Sequence, residues 1–275
     1  GSAPTNLNPP TKTNYMTLYV DNANPSSTIS VPAASPARVN SLNMISGNAT
    51  DTGSSGIQNV KVYLQLNPPA ATWWDWAGGG WGSAVPVQKL ATITGGTPDN
   101  RTWQCDTTTA PAVTWTGNPN TTYKIRVVAT DNCNNDQSGS PTELTFVYDT
   151  IPPDFGTLTP VNDRRINAAT RAAAWSNTEA LNAGQIKYTS TAGGDSGVVY
   201  SFTFDASHKN AGNQTWDPGA VLQAGSTYDL NISATDLAGN AATPVTTTNH
   251  VYDLTAPTFA PVTPDNGAKI GPNTR

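Results

Sequence analysis

Thr122-Tyr123-Lys124-Ile125-Arg126-Val127-Val128-Ala129-Thr130-Asp131 is matched 105 residues downstream by Thr227-Tyr228-Asp229-Leu230-Asn231-Ile232-Ser233-Ala234-Thr235-Asp236. The tyrosine, the alternating aliphatics and the closing Ala-Thr-Asp coincide. An asparagine follows four residues after each Asp, at Asn135 and Asn240. Apolar residues at every second position place one face of each segment on a core, as in a half-buried β-strand. Self-similarity at a fixed spacing marks a repeat architecture.

The repeat extends outward from this strand. Val147-Tyr148-Asp149-Thr150-Ile151-Pro152-Pro153-Asp154-Phe155 is matched at a spacing of 104 by Val251-Tyr252-Asp253-Leu254-Thr255-Ala256-Pro257-Thr258-Phe259. The one-residue difference places a deletion in the intervening hairpin. Val20-Asp21-Asn22-Ala23-Asn24-Pro25 keeps the same Asp-to-Pro spacing. Thr159-Pro160, Ile166 and Thr170-Arg171 recur as Thr263-Pro264, Ile270 and Thr274-Arg275. The expected organisation is therefore residues 1–23 as a tag scar (Gly1-Ser2) and the last strand of a preceding repeat, 24–152 and 153–256 as two whole modules, and 257–275 as the opening of a further one. The partial ends, Tyr15–Val20 and the tail after Pro257, are expected to complete a sheet or pack on a neighbour.

Between these landmarks run short segments punctuated by Gly, Pro, Asn and Asp. Val60-Val62-Leu64-Leu66 alternates clearly and Val199-Ser201-Thr203 weakly, each read as facing a core. About seven strands per module predict an all-β fold of tandem immunoglobulin-like antiparallel β-sandwiches. Tyr123 and Tyr228 stand where such a sandwich carries a corner tyrosine, or are ordinary strand aromatics.

Composition narrows function. Charged residues make up 12% of the 275, with a net charge of −5 and no Lys/Arg cluster, so the electrostatic footprint of nucleic-acid binding is missing. No apolar run approaches membrane-spanning length, so membrane insertion is not expected. His208 and His250, the only histidines, sit in polar stretches and are read as surface residues. Neither a Gly-x-Ser-x-Gly element nor zinc spacing occurs, and no catalytic residue is assigned.

Three features carry candidate chemistry. Cys105 and Cys133 are compatible with one disulfide in an oxidising compartment, which would add roughly 3–4 kcal/mol by closing the loop, or are two free thiols. Asp21, Asp51, Asp131, Asp149, Asp154, Asp236 and Asp253 gather at strand ends and expected module junctions. They are read as calcium ligands or as turn formers and strand caps. In Trp73-Trp74-Asp75-Trp76-Ala77-Gly78-Gly79-Gly80-Trp81 the indoles either stack on sugar faces or pack on one another around a Gly-rich hairpin tip.

Ile45-Ser46-Gly47-Asn48-Ala49-Thr50-Asp51-Thr52-Gly53-Ser54-Ser55-Gly56-Ile57, followed by Tyr-x-Ile-x-Val-x-Ala-Thr-Asp and Tyr-Asp-x-x-x-Pro, resembles the bacterial Ig-like repeats of large surface proteins. Leu181-Asn182-Ala183-Gly184 with Thr235-Asp236-Leu237-Ala238-Gly239-Asn240 resembles a sister variety. The Asp-x-x-x-Pro-x-Phe linkers resemble cadherin-like ones, without the Glu motifs that complete cadherin calcium sites. The resemblance implies a non-catalytic extracellular stalk, surface-layer, matrix or adhesin spacer, whose partners are neighbouring repeats. The rivals are a carbohydrate- or protein-binding module using the Trp hairpin, and accessory domains of a secreted hydrolase.

Overall fold

The computed structural model describes residues 20–34, 37–68, 72–115 and 121–259. Tyr15–Tyr19 of the expected leading strand and the repeat beyond residue 259 lie outside these residues. Two compact units divide after Thr150. Both are antiparallel β-sandwiches of immunoglobulin-like topology, and the described residues contain no helix long and apolar enough to cross a membrane.

The first unit holds β1 (Ser26–Val31), β2 (Arg38–Val39), β3 (Met44–Thr50), β4 (Ile57–Leu66), β5 (Thr72–Asp75), β6 (Gly80–Ser83), β7 (Lys89–Leu90), β8 (Thr92–Thr97), β9 (Asn100–Asp106), β10 (Thr122–Asp131) and β11 (Thr142–Tyr148). One sheet runs β1-β3-β9-β8 and the other β2-β11-β10-β4-β5-β6, with β7 also on β4. Ile45, Trp103 and Cys105 from the first sheet meet Val60, Val62, Leu64, Tyr123, Ile125, Val127 and Phe146 from the second. The period-two pattern of β4 and β10 thus buries one face of each strand, as the sequence predicts. Gly47 is required where it stands: a Cβ there would overlap the Thr28 carbonyl and the Trp103 ring.

The second unit holds β12 (Arg165–Ile166), β13 (Ala173–Asn177), β14 (Leu181–Ala192), β15 (Val199–Thr203), β16 (Gly212–Trp216), β17 (Thr227–Asp236) and β18 (Val245–Tyr252). Its larger sheet runs β12-β18-β17-β14-β15, facing the β13-β16 pair across the core. The sequence repeat therefore maps β10 onto β17 and β11 onto β18. Each of these pairs neighbours an equivalent strand, β4 in the first unit and β14 in the second.

In β15 the expected face is reversed. Val199 and Thr203 are exposed, while Tyr200, Phe202 and the following Phe204 pack on the core. Either parity satisfies a period of two, and the aromatics carry more area to bury than Val, Ser and Thr. Tyr228 is a corner tyrosine: its hydroxyl accepts from the Gln223 backbone N–H at 2.8 Å and donates to Asp195 at 2.6 Å. Burial and the Asp195 bond raise the Tyr228 phenol to about 12.

Candidate functional site

The repeated turn is the most regular chemistry in the chain. Asp131, fully buried at the end of β10, accepts through Oδ1 from the N–H groups of Cys133 (2.9 Å) and Asn135 (2.8 Å), and through Oδ2 from the Asn135 amide (2.8 Å). Asp236 does the same with Ala238, Asn240 and the Asn240 amide, each at 2.8 Å. The Asp-x-x-x-Asn signature is thus a closed set of charge-assisted bonds that ends each strand.

In the first unit Asp131 has company. Asp21, Asp51 and Asp131 bring carboxylate oxygens within 4.8 Å of one another. Asp51 accepts from Gly53 N–H (2.9 Å), Gly56 N–H (2.7 Å) and the Ser55 hydroxyl (3.1 Å). Asp21 accepts from the N–H groups of Ala23 (2.9 Å) and Ser55 (3.2 Å), and bonds to Ser55 hold its carboxyl below the ordinary range. Asn135 ties this group to the incoming chain through the Asp21 carbonyl at 3.0 Å. Hard oxygens converge as calcium requires, and the same oxygens also close the loops.

Asp149 is buried 3.7 Å from Arg38. Asp154 accepts from Phe155 N–H at 2.8 Å. Asp253 pairs with Arg165 at 2.9 Å and accepts from Thr255 N–H.

The Trp cluster is largely internal. Trp74 is 0% exposed and lies edge-on to Trp76 and Trp81. Trp81 continues the stack onto Tyr123 and Trp115 and donates its indole N–H to the Thr114 carbonyl at 2.7 Å. Lys89 sits 4.7 Å over the buried Trp76 ring. Trp73 faces the other way on β5: it is partly exposed and meets Tyr63 edge-on at 6.5 Å. Alternation along β5 explains the split between Trp73 and Trp74.

The expected disulfide is corrected. Cys105 and Cys133 are both free, the first buried and the second exposed. The turn carrying Cys133 lies beside Gly56, which neighbours Pro98, and β9 begins there at Asn100. Cys105 is five residues on, ~17 Å along the strand and far beyond disulfide reach. Burial raises the Cys105 thiol to about 11, so it is an unreactive core group. The cysteine pair lends no support to an oxidising compartment.

One of the two histidines departs from its expected surface placement. His250 is 0% exposed, edge-on to Tyr188, with Nε2 2.9 Å from the Thr247 hydroxyl. Burial lowers its pKa against the opposing pull of Asp229 and Asp163. Folding therefore favours the neutral ring. That contribution is intact above the ordinary value of 6.5 and is lost as pH falls below it toward the depressed folded value. Chemical denaturation of the chain at pH 7 and pH 5 is expected to show the second unit weakening at pH 5, with His250→Gln flattening the difference. An equal slope in both proteins counts against it.

His208 belongs to a cluster that the sequence reading missed, although Asp205-x-x-His208 is a visible spacing. Its Nδ1 lies 2.7 Å from Asp205 and 3.1 Å from the Ser207 hydroxyl, and its Nε2 lies 3.1 Å from the Thr215 carbonyl. Ser, His and Asp meet here without the order of a catalytic triad. Serine and carboxylate share one ring nitrogen, and the other faces a backbone acceptor, so no base addresses a nucleophile.

No family model and no curated protein matches the sequence. Similar solved structures include the FN1–FN3 domains of chicken CNTN1, 12% identical over 84% of this chain and 68% of that one, with a TM-score of 0.35. The fibronectin(III)-like modules of Clostridium thermocellum CbhA are 13% identical over 85% and 99%, at 0.39. Dimeric latent PorU from Porphyromonas gingivalis is 14% identical over 78% and 19%, at 0.24. At these scores the likeness adds nothing to the sandwich topology already described.

Proposed function

We propose that the chain is a non-catalytic, extracellular spacer of adhesin or surface-layer type, built from repeats of the bacterial Ig-like kind that its motifs resemble. The observation that supports this is the parallel pairing, in each unit, of a short strand near its start with its last strand. β2 runs parallel to β11, with Val147 N–H on Ala37 and Asp149 N–H on Val39 at 2.9 and 2.8 Å. β12 runs parallel to β18, with Val251 N–H on Arg164 and Asp253 N–H on Ile166 at 3.0 and 2.9 Å. When a unit is pulled from its two ends, parallel neighbours slide along each other. Their hydrogen bonds then resist together in shear instead of opening one at a time.

Single-molecule extension tests this. Val251→Pro removes one donor from that short ladder and is expected to lower the unfolding force of the second unit by roughly a third or more. An unchanged force rejects the mechanical reading.

Calcium at Asp21, Asp51 and Asp131 enters the same reading as a proposed clamp on the incoming chain, favoured by the convergence of their oxygens. Calcium is expected to raise the melting temperature of the first unit and Asp51→Asn to abolish the rise. Equal melting in calcium and in excess chelator rejects it.

A further inference from the structure

β16 is the edge of its two-stranded sheet. In β13, the N–H and C=O of Ala174 point away from β16 to Thr159 (3.1 and 2.8 Å), and the Ser176 carbonyl points to Gly156 (2.9 Å). Antiparallel pairing alternates, so the residues opposite them, Thr215 and Asn213, turn their backbone groups outward to the open edge. The first unit covers the matching edge of β9 with β8, where Ile93 pairs with Trp103. No strand covers β16 among the described residues.

A side chain stands there instead. The His208 ring reaches the outward Thr215 carbonyl, held at its other nitrogen by Asp205 and flanked by Trp175 and Phe202. Gly212-Asn213-Gln214-Thr215-Trp216 itself carries no charge and no proline, the usual guards of an exposed edge.

We propose that the β16 edge is a strand-addition surface for β16 of a second copy of this chain, and that the His208 ring is the latch over it. An uncharged strand meets its own copy antiparallel without repulsion, and the two-fold arrangement matches the outward Asn213 and Thr215 groups of both copies. The place of β8 in the first unit demonstrates that a sandwich of this topology accepts a strand at that edge. The loop bearing His208 is held by its backbone, through Asn177 to the carbonyls of His208 (2.9 Å) and Asn210 (2.8 Å) and through Leu181 N–H to Lys209 (2.8 Å). Removing the ring therefore opens the edge and leaves the loop in place. The surface is independent of the end-to-end spacer role.

Sedimentation equilibrium of the full chain tests it. His208→Ala is expected to associate into dimers at least about tenfold more tightly than the parent chain. His208→Phe, whose ring keeps the packing on Trp175 and Phe202 and still covers the edge, is expected to associate no more tightly than the parent. Adding Thr215→Pro to His208→Ala, which deletes an outward donor without touching the β13 ladder, is expected to restore the parent's behaviour. Association of His208→Ala no tighter than the parent, with the β13 and β16 pair still protected from hydrogen exchange, overturns the proposal. So does a dimer that survives Thr215→Pro.

Discussion

Trp74→Ala is expected to destabilise the first unit by about 3–5 kcal/mol, a large part of the stability of an ordinary domain. The indole is wholly buried on β5 and starts a chain of ring contacts through Trp81 to Tyr123 and Trp115. Its removal leaves a cavity lined by rigid rings that collapse poorly into it. The buried Trp74 N–H has no hydrogen-bond partner, so the loss is one of packing and not of polar satisfaction. Trp74→Phe should accordingly recover much of the deficit. The buried Cys105 thiol reports on this unit: its labelling under native conditions should accelerate in Trp74→Ala, while exposed Cys133 reacts at once in both proteins. An unchanged Cys105 labelling rate would count against a structural role for the cluster.

Asp236→Ala is expected to cost the second unit about 2–4 kcal/mol, because it removes the charged acceptor that the Ala238 and Asn240 N–H groups share at the end of β17. Asp236→Asn keeps an acceptor at Oδ1 for the two backbone donors and should cost clearly less. Asp131→Ala should behave likewise in the first unit, where the same bonds recur. Hydrogen exchange of β17 and β18 under partly denaturing conditions measures the effect. Equal costs for the Ala and Asn substitutions would mean that the turn does not depend on the Oδ1 bonds.

These two sites differ in how far they can be read without coordinates. The Asp-x-x-x-Asn turn is local: the groups that donate to each Asp lie within four residues of it, so spacing alone announces it, and it recurs 105 residues on. The Trp hairpin is announced by composition, but its role depends on contacts to Trp115, Tyr123 and Tyr63, residues far away in the chain. Alternation predicts that neighbouring indoles on β5 point to opposite faces. It is silent on which face meets the opposing sheet.

What the amino-acid sequence determined by itself was the repeat, the all-β class and the strands whose apolar residues alternate, β4, β10 and β17, because a period of two and a turn signature are properties of a few consecutive residues. Tertiary structure alone decided the rest. It turned Tyr200 and Phe202 inward in place of Val199 and Ser201, and it buried His250 within a polar-looking stretch. It separated Cys105 from Cys133 along the length of β9, and it gathered Asp21, Asp51 and Asp131 from three distant segments. The physical reason is common to all four. Burial and proximity are set by which strands become neighbours, and those pairings join residues that local chemistry cannot connect.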